Sequence, residues 1–147
     1  MTDDPNLSLN SNLDLYVKAA LGRKAFGLVV LDVRELSSIA DVFIICSGRS
    51  NRQVTAIAEF IQVDLKKHGI KPLSVEGKKE GHWVLLDYGH VIIHVFYEHV
   101  RNFYDLEGLW VDAKRIKTES LIKSENLISE IADIPVKLLK GKFQNDK

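Results

Sequence analysis

Residues 82–97 read HWVLLDYGHVIIHVFY, and this stretch decides the fold. Two runs rich in β-branched and aromatic residues, 82–88 and 90–97, meet at Gly89. Runs of this length and composition form strands. A glycine between them supplies the positive φ that a tight hairpin turn needs. The spacing predicts a hairpin with a two-residue turn at Tyr88-Gly89. Side chains alternate across a strand, so Val84, Leu86, Val91, Ile93 and Val95 share one wholly apolar face. Trp83, Leu85 and Asp87 share the other with His90, Ile92, His94 and Phe96. The first face must be core. The second mixes an indole, two imidazoles and a carboxylate with apolar residues. It reads equally as a contact surface or as a sheet face partly covered by a helix.

Working outward, residues 28–33 and 41–47 are short β-branched runs that read as buried strands. Ser50 and Gln53 form a capping-box pair. Behind them Val54, Ile57, Ala58, Ile61 and Leu65 recur at helical spacing, with Arg52, Thr55, Glu59, Gln62 and Lys66 on the other side. His68-Gly69 stops this helix. Residues 72–76 form a strand near an edge, because Pro72 has no N–H to donate. Towards the N-terminus, Ser11 and Asp14 cap a helix carrying Leu13, Tyr16, Val17, Ala20 and Leu21, and Gly27 ends that element. Residues 1–10 are expected to be flexible. Residues 99–107 predict a short helix with Phe103, Tyr104 and Leu106, ended at Gly108. Thr118 caps a further helix to about residue 132, with Leu121, Ile122, Ile128 and Ile131 on one side, before Pro135. The order is α-β-β-α-β-β-β-α plus a C-terminal helix. It predicts an α/β domain of the α+β kind, a mixed sheet of about five strands flanked by helices. Strict β-α-β alternation is missing, so a Rossmann domain is not expected. The division is 1–10, a domain over 11–112, and a helical extension over 113–147.

Composition sets limits on the chemistry. The chain has 147 residues, suited to one domain with a small appendage. Twenty basic side chains balance twenty acidic ones, giving a formal net charge of +0. Broad electrostatic binding to nucleic acid, which needs clustered Lys and Arg, is disfavoured. The single cysteine, Cys46, lies in an apolar run and reads as a buried, inert thiol. The start, MTDDPNLSLN, lacks the basic and apolar regions of a secretory signal. No stretch approaches the ~18 apolar residues of a membrane span. The expected compartment is the cytoplasm, with no membrane contact.

Spacing limits the candidate sites. His90 and His94 are four apart, which on a strand separates their rings by about 13 Å. His82 and His90 flank the hairpin, but two ligands do not make a zinc site. The turn Ser47-Gly48-Arg49-Ser50 enters a helix and could cradle a phosphate. It matches neither a P-loop nor GxGxxG, and a capped helix start explains it. Asp32, Asp41 and Asp87 fall near strand ends, where isolated carboxylates usually act as caps or ion pairs.

Six blocks carry a family resemblance: DVFIICSG (41–48), SNRQVTAIAEF (50–60), VEG (75–77), WVLLDYG (83–89), VIIHVF (91–96) and FYDLEGLW (103–110). In this order they resemble the ribosomal silencing factor family, also called RsfS or Iojap-like, over roughly residues 12–112. The resemblance implies a nucleotidyltransferase-like topology and a non-enzymatic factor, monomeric or homodimeric, that needs no cofactor. It implies docking on the large ribosomal subunit through that subunit's fourteenth ribosomal protein. Occupying that protein would block joining of the small subunit and repress translation, particularly under nutrient shortage, with a role also suggested in large-subunit maturation. The implied contact residues are Trp83, Tyr88 and Tyr104, with Asp87, His94 and Arg101 as nearby candidates. Gly108 departs from the family pattern, standing where a basic or polar helix former is usual. The extension after 112 also exceeds the shared core, and its lysines are candidates for a peripheral ribosomal RNA contact.

The alternative is an enzyme acting on nucleotides or RNA ends. Nucleotidyltransferases place a Gly-Ser turn at this kind of helix start and paired metal-binding carboxylates on a following strand. Two-metal phosphoryl transfer needs carboxylates converging on ions about 3.5–4 Å apart. Here the next strand reads PLSVEG, and Glu76 stands without a partner carboxylate.

Overall fold

The computed structural model describes the backbone of residues 5–118 and the side chains of residues 12–118. Its organising element is β2 (Val42–Gly48), in which every residue is buried. A strand covered on both faces is apolar throughout rather than alternating, which is why FIIC runs without a polar break. Cys46 is fully buried here, and burial pushes its thiol pKa up to about 12. β2 pairs antiparallel with β1 (Phe26–Asp32) and parallel with β5 (Val91–Tyr97). With β3 (Ser74–Glu76), β4 (Trp83–Asp87) and β6 (Lys114–Arg115), the sheet order is β3-β4-β5-β2-β1-β6. The molecule is thus a mixed α+β fold. Five of the six strands lie where the sequence places them. The sixth, β6, has two residues and leaves no periodic signal. It bonds to β1 through Leu31↔Arg115 and Asp32↔Lys114, so the sheet continues beyond residue 112.

One face of the sheet is covered by α1 (Pro5–Ala20) and α2 (Asn51–Lys66). α1 begins ahead of the Ser11–Asp14 pair, inside the stretch expected to be flexible. Proline is well suited to a first helical position, and nothing between Pro5 and Ser11 breaks a helix. α2 follows its pattern: Val54, Ile57, Ala58, Ile61 and Leu65 are its buried residues. Ser50 Oγ accepts the Gln53 N–H at 3.1 Å, and Gln53 Oε1 accepts the Arg49 N–H at 2.6 Å. The backbone of that turn is therefore engaged by its own cap. Beneath these helices Tyr16, Val17 and Ala20 meet Ile44, Val84, Leu86, Ile93 and Val95 in one cluster.

The opposite face carries Leu31, Phe43, Ile45, Ile92 and Phe96. It lies on the side of α3 (Glu98–Tyr104) and α4 (Leu106–Leu109). The single helix expected over 99–107 is broken at Asp105, which adopts a left-handed φ of 49°. Aspartate tolerates this conformation better than most residues, and its carboxylate accepts the Gly108 N–H to start α4. A side chain at position 108 would collide with that carboxylate. The helix expected over 118–132 falls outside the described residues.

The hairpin turn sits one residue later than expected. Asp87 pairs with Ile92, and the Tyr88 N–H donates to the Val91 carbonyl at 2.9 Å. Gly89-His90 are therefore the turn residues, with Gly89 at φ +93°. Asp87 Oδ1 accepts the Gly89 N–H at 2.8 Å and stabilises the turn. The strand residues keep their predicted faces, and Tyr88 falls on the same side as Val84 and Leu86, but His90, now a turn residue, leaves the mixed face: its ring lies 5.8 Å from Tyr16 of α1.

Candidate functional site

Trp83 opens β4 on the α3–α4 face, half-buried, opposite Phe96 in the sheet. Its ring packs on Phe96 at 4.8 Å between centroids and on Tyr104 of α3 at 5.2 Å. Its Nε1–H donates to Nδ1 of His94 at 3.1 Å. Phe43 of β2 continues the aromatic layer, 4.9 Å from the His94 ring and 5.0 Å from Trp110. Above this layer α3 and α4 expose Phe103 (81%), Tyr104 (52%) and Leu109 (75%), followed by Val111 (76%). α3 has no fully buried residue. An aromatic and aliphatic surface of this kind, resting on a packed aromatic floor, is chemistry suited to protein contact.

Arg101 fixes the geometry of the corner. Its Nε and Nη2 donate to the two carboxylate oxygens of Glu107 at 3.1 and 2.8 Å, and its Nη1 donates to Ser47 Oγ at 2.7 Å. The guanidinium thus ties α3 to α4 and both to β2. Hydrogen bonding from Arg101 lowers the Glu107 pKa. Room for the guanidinium comes from β1, where the register slips by one residue between Phe26 and Val29. Gly27 does not end α1, which stops at Ala20, but lies in this bulge at φ +64°, and a Cβ there would stand 2.9 Å from Arg101 Nη1.

Of the sequence-derived contact residues, Trp83 and Tyr104 come together on this surface, while the others are placed differently. Tyr88 is buried, 7% exposed, on the opposite side of the sheet, with its ring 5.4 Å from Tyr16 of α1. Strand alternation puts it there, and burial pushes its hydroxyl up to about 12. His94 lies under Trp83 at 4% exposure, and burial pushes its imidazole pKa down to about 4. Asp87 is occupied by the turn, and Arg101 by Glu107 and Ser47. Tyr88 and His94 are thus buried, while the part-buried Asp87 and Arg101 are already engaged within the fold. Sequence reasoning passed over Phe103, Leu109 and Val111. The signal was available in FYDLEGLWV, which carries more large apolar residues than two short helices can bury.

Asp32, Asp41 and Asp87 do fall at one end of the sheet, but Asp32 pairs with Arg34 at 2.9 Å and Asp87 caps the turn. Among the described residues no group of three or more His, Cys, Asp or Glu side chains is gathered as a metal site would need. None of the described helices is long and apolar enough to cross a membrane.

Residues 6–135 match the family described as "Ribosomal silencing factor during starvation". The chain belongs to the ribosomal silencing factor family. The match reaches past both ends of the 12–112 stretch that carries the sequence resemblance. The ribosomal silencing factor RsfS of Halalkalibacterium halodurans is 41% identical over 110 residues, covering 75% of this chain and 94% of the relative. A crystal structure of a protein from Bacillus halodurans superposes with a TM-score of 0.66 at 36% identity, over 74% of this chain and 98% of that one. A more distant relative, mouse "Mitochondrial assembly of ribosomal large subunit protein 1", is 29% identical over 103 residues, covering 67% of this chain and 45% of the relative. These names describe ribosome-associated factors of regulation and assembly rather than enzymes.

Proposed function

We propose that this silencing-factor chain docks on the large ribosomal subunit through the fourteenth ribosomal protein and keeps the small subunit from joining. The observation that carries the reading is the set of exposed apolar side chains on the α3–α4 segment, Phe103, Tyr104, Leu109 and Val111, with Tyr104 packed on Trp83, in a chain of this family. Repression follows from steric exclusion: the bound domain occupies space that the small subunit needs. The protein supplies shape and apolar area, and no cofactor or chemical step is required. The factor acts in the cytoplasm, where ribosomes assemble. The mouse relative's name supports a further role in large-subunit maturation, since a factor bound at the joining surface also holds an immature subunit out of translation.

A rigid base under the contact residues favours this reading. Binding costs less when side chains are already ordered, and Trp83 is held by Phe96, Tyr104 and His94 before any partner arrives. The test is co-sedimentation with purified large subunits, followed by addition of small subunits. Wild-type protein is expected to pellet with large subunits and to prevent joining. Trp83→Ala should lose about 2–4 kcal/mol of binding, as removal of a central aromatic anchor does. Unchanged binding by that variant, or joining that proceeds with the wild type bound, would count decisively against the proposed surface.

A further inference from the structure

We infer that His94 is a positioning residue for docking: its Nδ1 holds the Trp83 indole in the orientation that the contact surface presents. The inference rests on the docking reading above and assigns what that reading leaves open, namely how the anchor is fixed. An indole nitrogen is a donor and never an acceptor. The 3.1 Å contact therefore requires a lone pair on His94 Nδ1, which places the proton of the neutral ring on Nε2. Nε2 is buried and, among the described residues, has no partner. Leaving a buried N–H unpaired is costly. The other tautomer would free Nε2 but set two donors against each other at Nδ1, so the bond to Trp83 selects the tautomer.

The surroundings keep the ring uncharged. Phe43 from β2 stands edge-on at 4.9 Å, Phe96 from β5 lies parallel at 6.3 Å, and the strand neighbours paired with His94 are Ile45 and Leu85. The titratable groups that the packed elements bring to this face are engaged elsewhere. Asp87 of β4 caps the turn, Arg101 of α3 and Glu107 of α4 bind each other, and Tyr104 packs on the indole. Burial alone lowers the imidazole pKa. Ring packing on Phe96 and Tyr104 is compatible with more than one rotation of an indole, whereas a hydrogen bond from its single N–H is directional.

The test begins with the isolated protein, labelled with nitrogen-15. The Trp83 indole resonance is assigned by its loss in Trp83→Phe. It is expected to show slow solvent exchange, to hold its position from about pH 8 to about pH 5, and to move as the imidazole protonates. His94→Leu should shift it to that of an unbonded indole, while His94→Gln, whose amide oxygen accepts, should restore it. Binding to purified large subunits should fall about three- to tenfold for His94→Leu and recover with His94→Gln. In a Trp83→Phe background His94→Leu should cost nothing further. A wild-type indole resonance already at the position of an unbonded indole, or one unmoved when the imidazole protonates, overturns the inference without any variant. Full binding by a folded His94→Leu overturns it while leaving the docking reading intact. Wild-type protein that ignores large subunits overturns both.

Discussion

Trp83 begins β4 and Tyr88 follows its last residue, yet the two aromatics lie on opposite faces of the sheet with opposite fates. Tyr88 is sealed beneath α1, while Trp83 is half-open at the edge of α3. The sheet offers apolar residues on both sides. What differs is the cover. α1 and α2 have 16 residues each, whereas α3 and α4 have 7 and 4. Two four-turn helices close a face of this width; two short ones with a break at Asp105 leave apolar side chains over. The comparison sets residues that stabilise the fold against residues proposed for contact, and each half can be tested by whether stability or binding responds.

Tyr88→Ala should have the largest effect. Removing a buried aromatic ring leaves a cavity and costs about 3–4 kcal/mol of folding stability, measurable by urea unfolding. Tyr88→Phe sharpens the point. The buried hydroxyl has no partner among the described residues, so deleting it should leave stability unchanged or raise it by up to about 1 kcal/mol. A Tyr88→Phe variant with full stability but weakened large-subunit binding would place Tyr88 in the contact after all.

Acid should expose the buried imidazole next. The folded-state pKa of His94 is about 4, against 6.5 for a free imidazole. Between those values the unfolded chain binds the proton and the folded chain does not, so stability rises with pH across the window. The contribution is fully present above about pH 6.5 and is lost as pH falls towards about 4, a change of about 3 kcal/mol at most. Glu107 and Asp32, whose pKa values are lowered, add losses at the acid end of the same window. The difference between wild type and His94→Gln from about pH 7.5 to 5 isolates the imidazole. Parallel profiles for the two would show that His94 is not sealed in the apolar layer.

Arg101→Ala should cost about 2 kcal/mol of stability, less than a fully buried pair because Glu107 keeps some solvent. The loss should shrink in a Glu107→Gln background, where no carboxylate is stranded. Large-subunit binding should fall as well, since the guanidinium carries α3 and α4 in their places on β2. Loss of stability with binding per folded molecule intact would show that the corner docks without its clamp.

Much of this architecture is legible in the chain. Alternation over 82–97 names the strand residues of both faces, with His90 of the turn the exception, because one face is wholly apolar and a one-residue slip would expose it. The pattern of α2 is equally plain, with Ser50 as its cap. Three features were hidden for definite reasons. The turn position depends on an Asp87 side chain capping Gly89, and that one-residue difference does not show in apolar periodicity. β6 exists through pairing with β1, too short to have a pattern of its own. The role of Arg101 depends on Ser47, far away in sequence, and that of His94 on the exact hairpin pairing that sets it beside Trp83. For the site, the family blocks single out Trp83 and Tyr104, which the structure brings together on the α3–α4 side. They carry Tyr88 to the same surface, and only strand parity corrects it.

Phe103→Ser should change stability least and separates the two faces most cleanly. The ring is 81% exposed, and its aromatic neighbour is Tyr104 at 5.2 Å. Exposed substitutions without special contacts stay within about 0.5 kcal/mol of wild type, so urea unfolding should be nearly superimposable. A solvent-exposed phenyl ring on a short helix brings the fold little, because most of its surface stays in water. Its value lies in what can cover it. Large-subunit binding should therefore weaken by about tenfold, the share expected of an aromatic beside a central anchor. If Phe103→Ser instead destabilised the fold as Tyr88→Ala does, the α3–α4 side would be a second core rather than a surface, and the contrast between the two faces would fail. If both stability and binding were untouched, docking would rest on Trp83, Tyr104 and Leu109 without the most exposed ring of the patch, and the contact would lie nearer the sheet than the helix tips.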